Sequence, residues 1–277
     1  MSTSPCRPWM FSGRDDSAVT RKPLAKRTRK AWMLRLVGES GSGKTTLREE
    51  LEERIRIEQR QVIIIKPYVM EMEKTERKGK PMWAGQVSES IIHTLDPGAS
   101  IRSSTQARNN QVHKLLAESE RAGYRNLLII EEAHRMPVST LRALKGFMEL
   151  KTGLRRLLGV VLIGQPELDN TLNDKDPAVR EIVQRCERRE MLPLDEDLPV
   201  YLGHKFSRVG ANVADALADG AIDAIRARLT RLPRGGSAAE GRSICYPLVV
   251  NNLVTRALNA AAGVAMPRVT ADVIAGC

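Results

Sequence analysis

The chain of 277 residues is 42% hydrophobic and 28% charged, and its formal net charge is +11 at pH 7. This length and composition suit a globular α/β domain with a smaller second domain. No apolar run approaches the roughly 18–20 residues of a membrane-spanning helix, and the first 30 residues lack the apolar core of a secretory signal. We therefore expect a cytoplasmic protein without a membrane partner. The four cysteines (Cys6, Cys186, Cys245 and Cys277) are scattered, which predicts free thiols.

The N-terminal residues 1–30 are the most basic part of the chain, with eight Lys or Arg, two Asp and a net charge of +6. Three prolines among mixed polar residues predict an irregular arm. Such an arm can bind a polyanion by displacing its counterions, and the candidate contacts are Lys26, Arg27, Arg29 and Lys30. A solvated tail that only aids solubility is the alternative, and both stay open.

The segment 34–46, LRLVGESGSGKTT, joins a short apolar run to a helical pattern through a glycine-rich loop. It fits the phosphate-binding pattern G-x-x-x-x-G-K-[ST] in the strand-then-helix context that this pattern requires. Glycine lets the backbone bend tightly enough for its N–H groups to surround a phosphate, and the helix N-terminus adds positive potential. Lys44 is expected to reach the β- and γ-phosphates, and Thr45 to bind Mg²⁺ through its hydroxyl. The predicted nucleotide contacts are Gly38, Glu39, Ser40, Gly41, Ser42, Gly43, Lys44, Thr45 and Thr46.

After the first helical pattern, the β-branched run Val62–Ile65 predicts a strand buried on both faces of a parallel sheet. The charged segment 70–81 follows and predicts an exposed loop, with Lys78 as a candidate DNA contact. A helix is predicted over 84–95, ending at an Asp-Pro-Gly turn.

The segment 102–108, RSSTQAR, leads into an amphipathic helix and places short hydroxyls beside arginines. Short donors next to positive charge are the groups that contact a phosphate backbone. The pattern is equally consistent with an N-cap and a solvated helix face. The candidate DNA contacts here are Arg102, Ser104, Thr105 and Arg108.

A second nucleotide motif, LLIIEE, occupies residues 127–132, about 80 residues after the phosphate loop. Its four apolar residues predict a buried strand with two carboxylates at its end. Glu131 is expected to hold the Mg²⁺ shell, and Glu132 to orient and deprotonate the attacking water. The metal position normally holds Asp, and because Mg²⁺ requires tight octahedral geometry, the longer Glu131 predicts slower turnover.

A helix over 138–150 and a strand over 157–164 lead to Gln165. This amide is expected to sense the γ-phosphate or hold the lytic water, with an ordinary polar strand end as the alternative. An arginine-rich helix is predicted over 179–190, before a short fifth strand over 190–194. One of its arginines is a candidate to reach a neighbouring subunit's nucleotide, and solvation explains the others.

Beyond a linker at 195–199 only helical patterns remain, over 200–209, 213–232, 248–262 and from 270 onwards. A Gly-rich loop over 233–242 separates two of them. The predicted organisation is a basic arm at 1–30, a nucleotide-binding core at 31–197 and a helical lid at 198–277.

The segments GESGSGKTT, LLIIEEAHRM and LLGVVLIGQPEL together resemble the AAA+ ATPases over roughly residues 31–265. Within them the chain is similar to the branch that contains the phage Mu B protein, the TnsC and TniB transposition regulators and the ExeA/GspA secretion ATPases. The resemblance implies an α/β AAA+ P-loop NTPase with a five-stranded parallel sheet between helices, a small C-terminal helical lid, and ATP and Mg²⁺ bound between subunits. It implies metal positions at Thr45 and Glu131. The implied catalytic positions are Glu132, Lys44, Gln165 as first sensor and Arg185 as arginine finger, with Arg188 as second candidate.

The same resemblance implies an ATP-dependent, largely sequence-nonspecific duplex DNA-binding protein of a bacterial cytoplasm. It would assemble as a filament or ring on target DNA and deliver that DNA to a transposase, and slow hydrolysis would release it. A secretion-associated ATPase of the ExeA/GspA type and a nucleotide-gated adaptor without significant hydrolysis stay open as alternatives. Leu248 follows Pro247 where secretion-type relatives carry the second sensor's arginine, and this departure, with Glu131, favours slow hydrolysis.

Overall fold

A computed structural model describes residues 33–67, 84–177, 179–231 and 241–277. The predicted basic arm and the loop with Lys78 therefore lie outside the described residues, as do Lys26, Arg27, Arg29 and Lys30. Within the described part, the chain forms two compact units. The first contains residues 33–38 and Lys44–Glu190, and the second contains Glu39–Gly43 and Met191–Cys277.

The described residues contain nine strands and eleven α-helices. The strands are β1 (Met33–Val37), β2 (Val62–Ile65), β3 (Arg125–Ile130), β4 (Lys151–Thr152), β5 (Arg155–Arg156), β6 (Leu158–Gly164), β7 (Cys186–Glu190), β8 (Thr230–Arg231) and β9 (Arg242–Ser243). The helices are α1 (Lys44–Ile57), α2 (Ala84–Leu95), α3 (Thr105–Arg121), α4 (Val138–Glu149), α5 (Glu167–Thr171), α6 (Arg180–Arg185), α7 (Leu198–Ser207), α8 (Val213–Ala216), α9 (Ala221–Arg228), α10 (Pro247–Gly263) and α11 (Ala271–Gly276).

The first unit is built on a five-stranded sheet in the order β2-β3-β6-β1-β7. Every neighbouring pair in it is parallel. The apolar runs of β3 and β6 lie in its middle because a strand covered on both faces needs side chains that gain from burial on both. Helices α2, α3 and α4 contribute Ile91, Leu116 and Leu141 to the core, and all three are fully buried. The predicted α/β fold with a five-stranded parallel sheet is confirmed.

The fifth strand is not where the sequence pattern placed it. Helix α6 ends at Arg185, and residues 186–190 form β7, which pairs with β1 from Met33 opposite Cys186 to Val37 opposite Glu190. The predicted helix over 179–190 is therefore too long, and the predicted strand over 190–194 lies too late. Because β7 is an edge strand with exposed residues in CERRE, it lacks the apolar signal of a buried strand. A short hairpin of β4 and β5 also lies before β6, where no hairpin was predicted.

The second unit has its own apolar core around Leu202, Ile225, Val250 and Leu253. The helix predicted over 213–232 is interrupted: α8 ends at Ala216, and α9 begins after Gly220, whose φ is +80°. Leu217, directly after α8, is already extended and pairs with Val269, so the helix stops there and one amphipathic pattern becomes two short helices. Strands β8 and β9 pair antiparallel. Throughout the described ranges, no helix combines the length and apolar character that crossing a membrane requires.

Candidate active site

The phosphate-binding loop joins the end of β1 to the start of α1. The Gly38 N–H donates to the Gly164 carbonyl at 3.2 Å, so the loop leaves the sheet beside the end of β6. Within the loop, the Ser42 N–H donates to the Glu39 carbonyl at 3.2 Å. Gly41 and Gly43 have φ values of +75° and +97°, in the region that side chains with a Cβ rarely adopt. At Gly41 and Gly43 the backbone conformation therefore favours glycine.

Lys44 and Thr45 begin α1 directly after this loop. The Lys44 ammonium donates to the Gly38 carbonyl at 2.7 Å, and Lys44 as a residue is only 9% exposed. Thr45, by contrast, is exposed. The buried Lys44 bonded to Gly38 and the N-terminus of α1 give this segment the positive potential that a polyphosphate needs.

Glu131 follows β3 and pairs with Arg48 of α1, with Arg48 Nε 3.1 Å from Glu131 Oε2. Arg48 also donates to Glu52 at 2.5 Å, and Glu52 accepts from Lys66 at 2.8 Å. Burial opposes the positive charge of Arg48, but hydrogen bonding and attraction from Glu52 and Glu131 outweigh it and raise the pKa of this guanidinium. The pair links the acidic motif to the helix that carries Lys44 and Thr45, and no sequence signal pointed to it.

The donor set fits Mg²⁺ brought by a nucleotide. Mg²⁺ keeps several waters and takes one or two protein ligands together with substrate phosphates. The chain offers the Thr45 hydroxyl and the Glu131 carboxylate, which is 35% exposed. Among the described residues, no group of three or more His, Cys, Asp or Glu side chains forms an all-protein metal site.

Glu132 is the residue at which the chain turns out of the sheet. Its φ of 51° and ψ of 32° are left-handed, and a single 3₁₀ turn, Ala133–Arg135, follows it. Its carboxylate Oε2 lies 3.7 Å from His134 Nε2 and 3.7 Å from Arg135 Nε. A non-glycine residue in this conformation costs about 1–3 kcal/mol, and such residues cluster at functional sites.

Gln165 follows β6, and its backbone N–H donates to His134 Nδ1 at 3.3 Å. In the sheet, β6 lies between β3 and β1. The three segments predicted from sequence, namely the phosphate loop, the acidic pair and Gln165, therefore follow three adjacent parallel strands. Ligands of open α/β sheets bind at this carboxyl edge. His134 is the residue of this region that sequence reasoning missed, although it stands next to the acidic motif.

The arginine-finger candidates both have partners within the chain. Arg185 pairs with Glu149 at 3.0 Å and with Glu181 at 2.7 Å. Arg188, on β7, pairs with Asp169 and Glu190, both at 2.8 Å. Both guanidinium groups are about 40% exposed, and exposed pairs of this kind contribute only about 0–1 kcal/mol.

The candidate DNA contacts at the start of α3 divide into two kinds. The Ser104 hydroxyl caps α3 by accepting a backbone N–H at 3.2 Å. Arg108 donates to the Glu89 carboxylate at 3.2 Å and to the Arg102 carbonyl at 3.1 Å. Arg102 and Thr105 are exposed. The capping alternative therefore accounts for Ser104, and DNA contact stays a prediction.

In the second unit, the loop residues Glu39–Gly43 lie against the start of α10. The Leu248 N–H donates to the Gly41 carbonyl at 3.1 Å, and Glu39 forms an ion pair with Arg242. A Cβ on Gly41 would lie 2.6 Å from Leu248 Cβ. Leu248 thus touches the phosphate loop with an apolar side chain, at the position where the resemblance led us to expect an arginine.

Comparison with known proteins identifies a family model and several distant relatives. The family model described as AAA domain matches residues 27–172, which is more than half of the chain. General secretion pathway protein A of Aeromonas hydrophila is 28% identical over 177 residues, which cover 63% of this chain and 30% of that protein. The matched region thus spans less than a third of the secretion protein.

Two solved structures match most of this chain. The Aeropyrum pernix ORC2 protein, in its ADPNP-ADP complexes, has a TM-score of 0.54 and 12% sequence identity. The match covers 89% of this chain and 61% of the ORC2 chain. The Thermotoga maritima RuvB Holliday junction branch migration motor has a TM-score of 0.48 and 15% sequence identity, and the match covers 88% of this chain and 60% of the RuvB chain. At this identity, the likeness to ORC2 concerns the fold alone.

Proposed function

Because the chain belongs to the AAA domain family, and so to the AAA+ ATPases, we propose that it is an ATPase whose ATP-bound form assembles on duplex DNA. The observation that carries the nucleotide part is the common position of three motifs. The phosphate loop, Glu131 with Glu132, and Gln165 follow the adjacent strands β1, β3 and β6. Positioning and electrostatic stabilisation supply nearly all the catalysis in phosphoryl transfer, so side chains converging at one sheet edge are what the reaction requires.

The proposed roles follow from each side chain's chemistry. Lys44 places a buried positive charge at the phosphates, and the loop N–H groups surround them. Glu132 orients and deprotonates the attacking water, and the Gln165 amide reports whether the γ-phosphate is present. Thr45 and Glu131 would hold Mg²⁺, which neutralises charge developing on the phosphates when it is bound.

Two features support slow, regulatory hydrolysis. Glu131 is one methylene longer than the Asp usual at this position, and its carboxylate already pairs with Arg48 at 3.1 Å. Leu248 brings no positive charge to the loop it touches. Both features weaken stabilisation of the charge that develops in the transition state.

Assembly would follow from where the finger arginine acts. We propose that Arg185, with Arg188 as the alternative, reaches the nucleotide of a neighbouring copy, so that ATP favours a filament or ring. The exposed ion pairs of Arg185 with Glu149 and Glu181 are weak enough to exchange for a triphosphate. A polymer then multiplies weak phosphate contacts into tight DNA binding.

The DNA part of the proposal rests on charge. The net charge of +11 includes +6 from residues 1–30. The exposed Arg102 precedes α3, and the exposed Thr105 is the first residue of α3. Contacts from such groups go to the phosphate backbone, so we expect little sequence preference. We propose that the assembly captures target DNA in the bacterial cytoplasm and delivers it to a transposase, as the resemblance to the Mu B branch implies.

A mobility-shift assay with a non-hydrolysable ATP analogue tests the DNA proposal. We expect binding to random duplex only with nucleotide, and a steep decrease in affinity with rising salt. Arg102→Glu should weaken binding more than the control Arg60→Glu, which makes the same charge change at an exposed arginine after α1. Equal binding without nucleotide, or equal effects of the two variants, would contradict the proposal.

The second candidate function is a secretion-associated ATPase, and the match to General secretion pathway protein A favours it. Intact ATP hydrolysis with no DNA binding at near-physiological salt would support this candidate.

A third candidate is the nucleotide-gated adaptor, and the variant Glu132→Gln distinguishes it from a hydrolase. If the wild-type rate exceeds that of Glu132→Gln by about 100-fold or more, the chain is a hydrolase, and equal rates near background indicate the adaptor.

A further inference from the structure

His134 lies between Glu132 and the backbone of Gln165, the two residues to which the proposed function gives roles in hydrolysis. Its Nδ1 accepts the Gln165 backbone N–H at 3.3 Å, and its Nε2 is 3.7 Å from the Glu132 carboxylate. The imidazole is only 11% exposed. Because Nδ1 is the acceptor, the proton of the neutral ring lies on Nε2, which faces Glu132.

The backbone holds this arrangement closely. The left-handed Glu132 directs the following 3₁₀ turn toward the end of β6. A Cβ on Gly164 would lie 3.2 Å from the His134 backbone nitrogen and 3.1 Å from Leu168 Cδ2, closer than ordinary packing allows. The two motifs therefore touch backbone to backbone at Gly164, whose carbonyl also accepts the N–H that starts the phosphate loop.

Glu132 has a second neighbour, the cationic Arg135, which holds it less rigidly. Arg135 Nε is 3.7 Å from the same carboxylate oxygen, and its side chain is 55% exposed. Solvent screens an exposed pair, and holding a long side chain in place costs entropy. The buried ring, fixed at Nδ1 by a backbone amide, is the more rigid of the two neighbours of Glu132.

We propose that His134 is a positioning residue that couples Glu132 to the end of β6. One ring nitrogen accepts the Gln165 backbone N–H, and the other orients the Glu132 carboxylate, so that the base and the backbone that carries the sensor move as one unit. This inference rests on the proposed function, since it uses the roles given there to Glu132 and Gln165.

Two substitutions separate the two sides of the ring. In His134→Asn the amide oxygen lies near the former Nδ1 and can keep the Gln165 bond, but the side chain is too short to reach Glu132. In His134→Gln the amide NH₂ lies near the former Nε2 and keeps a donor toward Glu132. His113→Asn is the matched control, because His113 also bonds a backbone group, the Lys151 carbonyl at 3.1 Å, but lies on α3.

ATP hydrolysis by the full chain, with and without duplex DNA, gives the readout. We expect His134→Asn to lower kcat by about 10–100-fold, the range typical of groups that orient a functional side chain. KM for ATP should stay within about twofold, because the phosphate loop is unchanged. His134→Gln should recover part of kcat, and His113→Asn should match wild type. Unfolding temperatures of all variants show whether a lower kcat follows folding instead.

A double-mutant cycle decides whether His134 acts through Glu132. If it does, adding His134→Asn to Glu132→Gln should change the residual rate by less than about twofold. Three results overturn this inference but leave the proposed function standing. They are a wild-type kcat in His134→Asn, a kcat loss that only follows lost folding, and a full additional loss in the double variant. If Glu132→Gln hydrolyses ATP like wild type, or wild type does not hydrolyse it, the proposed role of Glu132 fails and takes the inference with it.

Discussion

Substituting the loop glycines tests whether the Leu248 contact is as close as the structure has it. Gly41 and Gly43 both have positive φ values, so Ala at either position costs about 1–2 kcal/mol of backbone strain. Only at Gly41 does the new Cβ meet a neighbour, 2.6 Å from Leu248 Cβ and 2.9 Å from its Cδ2. At Gly43 the nearest atoms are Pro247 Cγ at 3.8 Å and Met191 Cε at 3.9 Å.

The expected magnitudes follow from these distances. Overpacking of this kind adds about 1–3 kcal/mol, and the lower entropy of the unfolded chain returns about 0.4–1 kcal/mol at both positions. Gly43→Ala should therefore lower the free energy of unfolding by about 1 kcal/mol, and Gly41→Ala by about 2–4 kcal/mol. The backbone strain is common to both variants, so the difference between them measures the contact.

Urea unfolding without nucleotide is the assay. All the closely approached atoms belong to the Leu248 side chain, so Leu248→Gly should restore most of the extra loss in a Gly41→Ala background. Leu248 is 51% exposed, and its substitution alone should have a small effect. Equal losses in Gly41→Ala and Gly43→Ala, or no recovery in the double variant, would refute the close contact.

Three further predictions concern the two cores and the edge of the sheet. Gly164→Ala should lower the free energy of unfolding by about 1–2 kcal/mol. Gly159→Ala on the same strand should be nearly neutral, because its Cβ would lie an ordinary 3.4 Å from a methyl group. Urea unfolding of the two variants compares these effects. Asn126→Ala should cost about 1–3 kcal/mol, because buried Asn126 donates to the Leu157 carbonyl at 3.2 Å and nothing would replace it; an unchanged urea midpoint would contradict this. Burial raises the pKa of the Cys245 thiol from 9.0 to about 11, so the folded state keeps this proton to higher pH than the unfolded state does. The free energy of unfolding should therefore fall as pH rises from 9.0 to about 11, by up to about 1.4 kcal/mol per pH unit. Unfolding of Cys245→Ala at the same pH values should lack this part of the pH dependence.

The order of the candidate nucleotide motifs along the sheet could be predicted from the sequence because their signals are local. Glycines at 38, 41 and 43, a lysine and a hydroxyl in fixed spacing define the loop, and continuous apolar runs mark β3 and β6 as buried strands. Once the strands are parallel, their carboxyl ends lie along one edge. Glu131, Glu132 and Gln165 therefore had to lie near each other whatever the details of packing.

Local signals failed where pairing or a single backbone angle decided the structure. The CERRE segment becomes β7 because the exposed edge of β1 accepts it, and its side chains do not show this. The extended backbone of Leu217, which pairs with Val269, divides one amphipathic pattern into α8 and α9.

The sequence by itself determined the family, the parallel sheet and which residues are candidates for the nucleotide site. Tertiary structure alone decided which of those residues have neighbours: Arg48 beside Glu131, His134 between Glu132 and Gln165, and Leu248 against Gly41. The physical reason is range. Spacing along the chain fixes backbone geometry over a few residues, whereas each of these contacts joins segments that meet only after the strands and helices have packed.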